Sequence, residues 1–436
     1  MLRTKAVLLG LLAFSSLASA TELRIYPTFT EVQQPVQAGK TSYDLTFPFS
    51  AWQWVQPGSL SLNGDTLTRL TTAPDELAWL RTQEGKAVRW VRPGQAGVQA
   101  TLERADDLLL KLESGEYVNA ARSEVAFTQR PPQAGGVTAH FEVNGAVKAA
   151  KVLYRTAALS WRPRYELNAT AGAVNLAALA DITNRSDQVF QGDQVNLFAG
   201  EVRQVIRPTL LPYPEQQMLS QAASSGAIAT MPGAGRTATD AITSVGEVRG
   251  LQQYTLPGSL KVGRGESVTL PFLKPSLKDF IRYASVQSYF DGQNRSGRAN
   301  RHYKFTSSLS LPTGSVDVRE AGLLVGTVQL PAVQAGKSVD LDLGADAELR
   351  YEKVVKRTGQ EKDPTGRILS TTSQVTYTFT STKSTATRVS VREQWYAKSS
   401  SVDGQPPQPG QVTLTRQVEV PAGGKASLTF KLKLMN

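Results

Sequence analysis

Apolar and polar residues alternate at period two in short runs along almost the whole chain. The series begins at Leu23 and Ile25, and residues 154–205 are its densest stretch. Turn-forming residues interrupt it about every 8 to 12 residues, a spacing typical of β-sandwiches. Alternation places every second side chain on one face of a strand. The sequence therefore predicts an all-β protein of multi-domain antiparallel β-sandwiches, immunoglobulin-like, with a small SH3-like barrel and at most short helices.

Breaks in the alternation predict the domain boundaries. A Pro-Pro pair at residue 131 is followed by two glycines, and a Pro, Gly, Ser and Ala mixture without an apolar face follows residue 206. Such a mixture favours a flexible segment. The predicted segments are residues 1–20 (signal peptide), 21–83 (N-terminal β segment), 84–130 (small SH3-like barrel), 131–206 (first part of a central β-sandwich), 207–250 (flexible linker or insertion), 251–345 (second part of the central β-sandwich) and 346–436 (C-terminal β-sandwich).

Two local motifs lead to sharper predictions within residues 21–83. Thr72 to Asp75 offers a capping-box start with Pro74 inside the first turn, which predicts one short helix. The Asn63-Gly64 pair tolerates the positive φ angles of a type I′ turn. It therefore predicts a hairpin between the two flanking strands.

The first twenty residues have the pattern of a cleavable secretory signal. Arg3 and Lys5 precede an apolar run that ends at Ala18-Ser19-Ala20, so the mature chain is expected to begin near Thr21. No later stretch approaches the roughly 20 apolar residues that a membrane-spanning helix needs. The chain contains no cysteine, which excludes disulfides, thiolate metal sites and cysteine nucleophiles.

Positive charge is concentrated in the second half of the chain. Of the formal net charge of +11, residues 206–436 contribute +10, with 28 basic and 18 acidic residues. A basic surface favours an acidic polymer or surface as partner. For an exported protein, this partner is expected to be an anionic envelope polymer or phospholipid rather than nucleic acid.

One basic cluster within that half is a candidate binding site for anions or a partner. Arginine side chains at residues 291–298 are expected in a loop, where they could hold phosphate or carboxylate groups bidentately. The alternative is an ordinary solvated hairpin tip. The candidate residues are Arg282, Arg295, Arg298, Arg301 and Lys304.

The residues that usually carry enzyme chemistry are few. His140 and His302 are the only histidines, so a histidine-rich metal site cannot form, and both are interpreted as structural or solvent-facing. Phosphate-binding and dinucleotide-binding glycine patterns are absent, and no cofactor is predicted. Carboxylates in or beside the central stretch could act as a glycosidase-type pair: Glu166, Asp181, Asp193 and Glu201.

The central stretch resembles a known protein family. Its runs are YRT at 154–156, LSW at 159–161, Tyr165, ITNRS at 182–186 and LFAGEV at 197–202, accompanied by LRIY at 23–26, YTLP at 254–257 and VEVPAGG at 418–424. These are similar, also in their order, to the motifs of mucoidy-inhibitor-A-like envelope proteins, whose C-terminal domain is a domain of unknown function. The resemblance covers most of residues 21–436 and implies an exported, all-β, non-membrane protein without an established catalytic motif. The chain lacks the helical coiled coil that often precedes the motif in that family.

The sequence thus predicts a non-enzymatic binding or structural protein of the periplasm or cell envelope. Its expected partner is an anionic envelope polysaccharide or another envelope protein, and peripheral membrane association is consistent with its charge. Two alternatives stay open. One is a carbohydrate-active hydrolase with paired carboxylates, and the other is an outer-membrane β-barrel, which also alternates without helical spans.

Overall fold

The computed structural model describes residues 21–63, 67–131, 136–145, 150–170, 173–203 and 242–435. Nearly all of the regular structure in them is β-strand, so the predicted all-β class is confirmed. The predicted signal peptide and most of the predicted linker at 207–250 lie outside the described residues. Within the described part of the chain, no helix is long and apolar enough to cross a membrane.

The elements before residue 200 are short, and most of the strands alternate buried and exposed positions. The helices are α1 (Phe49–Trp52), α2 (Asp75–Arg81) and a 3-10 turn at Arg122–Glu124. The strands are β1 (Glu22–Ile25), β2 (Thr30–Val36), β3 (Ser42–Phe47), β4 (Ser61–Leu62), β5 (Leu67–Pro74), β6 (Ala87–Trp90), β7 (Val98–Arg104), β8 (Leu109–Leu112), β9 (Tyr117–Asn119), β10 (Val125–Ala126), β11 (Val137–Val143), β12 (Ala150–Thr156), β13 (Leu159–Ala169), β14 (Val174–Asn184), β15 (Phe190–Gly192) and β16 (Gln194–Ala199).

After residue 242 the described chain is strands and turns only, and several strands are long. They are β17 (Thr243–Val248), β18 (Leu251–Thr255), β19 (Leu260–Val262), β20 (Ser267–Leu273), β21 (Leu277–Tyr289), β22 (Arg295–Ser307), β23 (Gly314–Glu320), β24 (Leu323–Leu330), β25 (Ser338–Lys362), β26 (Ile368–Ser381), β27 (Thr387–Val402), β28 (Gln408–Val420) and β29 (Lys425–Met435).

The chain divides into two compact units. The first comprises the described residues up to 162 and those between 181 and 270, and the second comprises the described residues of 163–180 and those from 271 onward. The first contains a seven-stranded sheet (β17-β18-β16-β1-β2-β12-β4), a three-stranded sheet (β3-β11-β5) and a two-stranded sheet (β15-β19). Phe47 and Phe141 of the three-stranded sheet share one core with Leu62 and Val152 of the seven-stranded sheet, which is the packing of a β-sandwich.

Residues 84–130 of the first unit form a sheet with its own core. Its five strands have the order β10-β6-β7-β8-β9, and Val88, Leu102 and Leu110 are buried inside it. Trp90 is half-buried at the edge of this core, with its indole N–H 3.2 Å from Glu124. Its role is therefore packing, as expected for a large aromatic residue.

The second unit is dominated by a closed six-stranded barrel. Its strands follow the order β21-β22-β25-β26-β29-β27, and a parallel pairing of β21 with β27 closes the ring, while β28 extends β27 outward. Aromatic side chains fill the interior: Tyr377, Phe379, Trp395 and Phe430 are each at most 1% exposed. A filled interior is what a barrel of about this size requires.

Among the described strand pairs, three are parallel, where the sequence predicted antiparallel sheets. They are β1 with β16, β13 with β23, and β21 with β27. Parallel neighbours need a connection of about a dozen residues or more. Because period-two alternation is the same for both directions, the sequence pattern could not distinguish them.

The two local predictions in residues 21–83 had different outcomes. The short helix is confirmed as α2, but Pro74 is its N-cap and no side chain caps it, so the predicted capping box does not form. Gly64 and Asp65 lie outside the described residues. The strands on either side belong to different sheets, because β5 pairs with β11 and β4 pairs with β12, so the predicted hairpin was wrong.

The central stretch at 154–205 supplies core residues to each unit. Trp161 is 1% exposed and donates its indole N–H to the Phe198 carbonyl at 2.9 Å. Tyr165 is fully buried and donates its hydroxyl to the Pro312 carbonyl at 2.7 Å. Both aromatic side chains are therefore structural.

Candidate functional site

All five predicted basic residues lie on the β21–β22 hairpin, and two of them are ion-paired. Arg282 lies 3.1 Å from the Glu320 carboxylate and donates a hydrogen bond of 3.2 Å to the Thr170 carbonyl. Arg295, the first residue of β22, pairs with Asp291. The hydrogen bond from Arg295 lowers the pKa of the Asp291 carboxyl. Both guanidinium groups are therefore already compensated by carboxylates of the chain.

Of the remaining three, Arg298 is the most available for a ligand. Arg301 is half-buried and donates to the Val325 carbonyl at 2.9 Å. Lys304 is half-buried opposite Asp340 in the register of β22 and β25. Arg298 is exposed and has no ion pair with any described residue. It lies within β22 rather than in the loop that the sequence suggested, because the strand already begins at Arg295.

Arg298 begins a line of residues that crosses four adjacent strands on the barrel exterior. Its Cα partner is Arg350 on β25, Arg350 lies opposite Thr380 on β26, and Thr380 lies opposite Lys425 on β29. All four are exposed, and no described carboxylate forms an ion pair with the three cations. We call Arg298, Arg350, Thr380 and Lys425 the cationic row. With neighbouring strands about 4.8 Å apart, its backbone positions span about 14 Å.

Hydroxyl groups fill the exterior of β26 and β29 next to the cationic row. Thr378 lies opposite Ser427, and Thr376 lies opposite Thr429 with their hydroxyls 3.1 Å apart. Beyond them, Lys356 of β25 and Lys431 of β29 flank Gln374. The exterior of β26 and β29 is thus a hydroxyl-rich surface between two sets of cations, and on β25 it is bordered by the exposed Glu352, which lies opposite Thr378.

A second cluster joins a serine and a histidine of the same hairpin to an aspartate of β25. Ser285 Oγ lies 2.8 Å from His302 Nε2, and His302 Nδ1 lies 3.1 Å from Asp340 Oδ1. Tyr283 donates its hydroxyl to the other oxygen of Asp340, and its ring stacks on His302 with centroids 4.8 Å apart. When Nδ1 carries the proton toward Asp340, Nε2 is the acceptor for the Ser285 hydroxyl.

The Ser285 cluster is anchored in the sheet and open at its carboxylate end. Ser285 and His302 are 8% and 7% exposed, whereas the side chains of Asp340 and Asp342 are 42% and 49% exposed. Burial, followed by the hydrogen bond to Asp340, raises the pKa of Tyr283. The Tyr283 hydroxyl therefore remains a donor that fixes the carboxylate.

The barrel interior contains an ion pair that is completely buried. Lys353 Nζ lies 2.6 Å from Glu393 Oε1 and 3.1 Å from Ser288 Oγ, and both charged side chains are 0% exposed. Tyr377 donates its hydroxyl to the second oxygen of Glu393. Burial and this hydrogen bond raise the pKa of Tyr377. Every oxygen of the Glu393 carboxylate is thus satisfied inside an apolar environment.

The four carboxylates suggested for glycosidase chemistry differ in their surroundings: three accept hydrogen bonds from different donors, and the fourth is exposed. Arg164 donates to Glu166 at 2.7 Å, Thr269 donates to Asp181 at 2.6 Å, and the Thr21 amide donates to Asp193 at 3.0 Å. Glu201 is exposed just after β16 ends. These contacts are those of ordinary strand-end and surface carboxylates.

The sequence contained a signal for one of the missed clusters only. Lys353 and Glu393 occupy positions where the alternation of β25 and β27 otherwise has apolar residues, so two opposite charges on apolar positions could have indicated a buried pair. The Ser285 cluster has no such signal. Its three members come from three strands, and irregularities in the pairing of β22 with β21 and β25 set their relative positions.

Comparisons with known proteins add no family assignment. No protein-family model matches the chain, and no curated protein is significantly similar to it in sequence.

Proposed function

We propose that this chain is an exported cell-envelope protein that binds an anionic polysaccharide, in a non-enzymatic role, through the cationic row. The observation that carries the proposal is the direct juxtaposition of Arg298 and Arg350 on neighbouring strands. Like charges in this position destabilise a sheet, and no described carboxylate forms an ion pair with either arginine. An anion bound across the row removes this repulsion and accepts charge-assisted hydrogen bonds.

The surface next to the cationic row favours a carbohydrate over other polyanions. The hydroxyls of Thr376, Thr378, Ser427 and Thr429 are donors and acceptors that match sugar hydroxyls. A chain of acidic sugars that crosses the strands presents charged groups to the row and hydroxyl groups to this surface. The net charge of +10 on residues 206–436 attracts such a polymer from a distance.

The proposed location rests on the sequence. Residues 1–20 have the pattern of a cleavable export signal, and the resemblance to mucoidy-inhibitor-A-like envelope proteins is in line with a place in the periplasm or envelope. On this proposal the mature protein begins near Thr21 and meets its polymer outside the cytoplasm.

The test measures binding of polygalacturonate, a linear acidic polysaccharide, by isothermal titration calorimetry at several salt concentrations. We expect the triple variant Arg298→Gln, Arg350→Gln, Lys425→Gln to bind at least about tenfold more weakly, because a tenfold loss corresponds to about 1.4 kcal/mol shared among three contacts. Wild-type affinity should fall as salt rises, since the contacts are ionic.

A matched control removes three cations that already have carboxylate partners. Arg295→Gln, Arg416→Gln, Lys433→Gln changes the net charge by the same amount in the same unit, at residues paired with Asp291, Asp403 and Glu361. We expect it to bind nearly as well as the wild type. Equal losses in both variants, or equal binding of neutral dextran, would contradict a specific role for the cationic row.

A further inference from the structure

We infer that Ser285 is a nucleophile for acyl transfer, with His302 as its general base and Asp340 as the residue that positions His302. The substrate class is carboxylic esters. This activity belongs to a different surface from the cationic row, whose own role in binding is non-enzymatic, and it does not depend on that binding. The inference begins from the arrangement of three side chains, with separations of 2.8 Å and 3.1 Å, contributed by three neighbouring strands.

The geometry assigns a distinct role to each side chain. A serine is activated when a base lies within hydrogen-bond reach of its hydroxyl and a third group orients that base. His302 Nε2 faces the Ser285 hydroxyl, and His302 Nδ1 faces the Asp340 carboxylate. The Tyr283 ring stacked on the imidazole holds it in place from one side. Such triads occur on unrelated folds and are recognised by geometry rather than by sequence order.

Asn300 is the donor best placed for the charge that develops on the reacting carbonyl oxygen. It is the Cα partner of Ser285 on β22, and one N–H of its carboxamide bonds Asp342 at 3.0 Å. Its second N–H bonds no acceptor in the described part of the chain. Side-chain amides serve as oxyanion donors in acyl-transfer enzymes.

The proposed reaction conserves atoms and charge at each step. Ser285 Oγ attacks the carbonyl carbon of the ester while its proton passes to His302 Nε2. The C–O bond to the alcohol breaks, the alcohol leaves with that proton, and an acyl-Ser285 ester remains. Water then attacks this ester, His302 accepts and returns a proton, and the carboxylic acid is released with free Ser285.

The experiment treats the full mature chain with a fluorophosphonate, which phosphonylates only activated serines, and locates the adduct by peptide mass spectrometry. We expect one adduct, on Ser285. Because the wild-type protein itself gives the answer, the test does not depend on a variant that folds. No adduct, or an adduct at another serine, would overturn the inference.

A matched control uses the serine that lies opposite Ser285 on its second neighbouring strand, β27. Ser390 of β27 is the Cα partner of Ser285 and forms no hydrogen bond with His140 or His302. We expect Ser285→Ala to abolish labelling and Ser390→Ala to leave its rate unchanged. If Ser285→Ala and Ser390→Ala both lose labelling while their circular dichroism is unchanged, the reaction depends on the pairing of β21 with β27 rather than on Ser285 itself. That result would contradict the inference.

Two further variants separate activation from ordinary serine reactivity. We expect His302→Gln to slow labelling about a hundredfold or more, consistent with the contribution of a general base. Asp340→Asn should slow labelling, and Asp340→Glu should restore part of the rate, because a carboxylate at this position orients His302. A His302→Gln protein that is labelled as fast as the wild type would show that Ser285 is not activated.

Discussion

Lys353 and Glu393 illustrate what a single pair of residues contributes to the barrel. Both charges are fully buried at 2.6 Å separation, and removing charges from water is costly unless their partners are well placed. Ser288 and Tyr377 complete their hydrogen bonds. Each buried charge is therefore matched by an opposite charge and by hydrogen bonds, which offset the cost of taking it out of water.

The first prediction at this scale concerns the loss of one partner. Glu393→Gln or Lys353→Met alone should lower the free energy of unfolding by about 3–5 kcal/mol, since each leaves an uncompensated buried charge. The double variant Lys353→Met with Glu393→Leu should recover most of this loss. Urea denaturation followed by tryptophan fluorescence measures all three, and a double variant no more stable than the single ones would contradict this account.

Asn184 shows how one side chain holds an element in place at the end of β14. It is 1% exposed and donates to the carbonyls of Gln188 and Gly263 at 2.6 Å and 2.7 Å. Its carbonyl oxygen accepts from the amide and the hydroxyl of Ser186. The turn after β14 and the loop after β19 are therefore joined through one carboxamide.

For this element we predict that one substitution, Asn184→Ala, strongly lowers the free energy of unfolding. Asn184→Ala should lower the free energy of unfolding by about 2–4 kcal/mol, because several buried backbone groups lose their partners. Thr183→Ala is the matched control, since the Thr183 hydroxyl bonds Ser267 at an exposed site, and we expect a cost below about 1 kcal/mol. Equal costs in urea denaturation would refute the role of Asn184 as a link between the two loops.

At the same scale, the residue pattern predicted strands better than it predicted their partners. Burial of Trp161 and Tyr165 followed from the alternation, because a side chain's face depends only on local geometry. The separation of β4 and β5 into different sheets did not, because pairing is decided by residues distant in the chain. The Ser285 cluster was missed for the same reason. Three unremarkable polar residues become neighbours only through the register of β21, β22 and β25.

For the whole molecule, buried tyrosines predict how stability depends on pH. Burial raises the pKa of Tyr154 to about 12 and also raises those of Tyr254, Tyr283 and Tyr377. In the unfolded chain the ordinary value is about 10. The raised pKa values in the folded state favour the neutral form of these tyrosines. Their contribution to the free energy of unfolding is therefore complete below about pH 10 and is lost as the pH rises through 12 and above.

We therefore expect tyrosine ionisation at 295 nm to coincide with loss of the near-ultraviolet circular dichroism signal at alkaline pH. Tyr154→Phe should reduce the loss of stability between about pH 10 and pH 12, because phenylalanine has no proton to release. Ionisation of all tyrosines near pH 10, with the folded signal intact, would show that these side chains are not held in their neutral form by burial.

The parallel contact between β21 and β27 also bears on how fast the second unit can fold. It brings Ala284 next to Val389, across more than a hundred residues of intervening chain, and long loops cost entropy before their contacts form. Topologies dominated by such distant pairings fold in about milliseconds to seconds rather than microseconds. We therefore expect the contact of β21 with β27 to form late in folding, and the enclosure of Lys353 and Glu393 inside the ring to be completed with it.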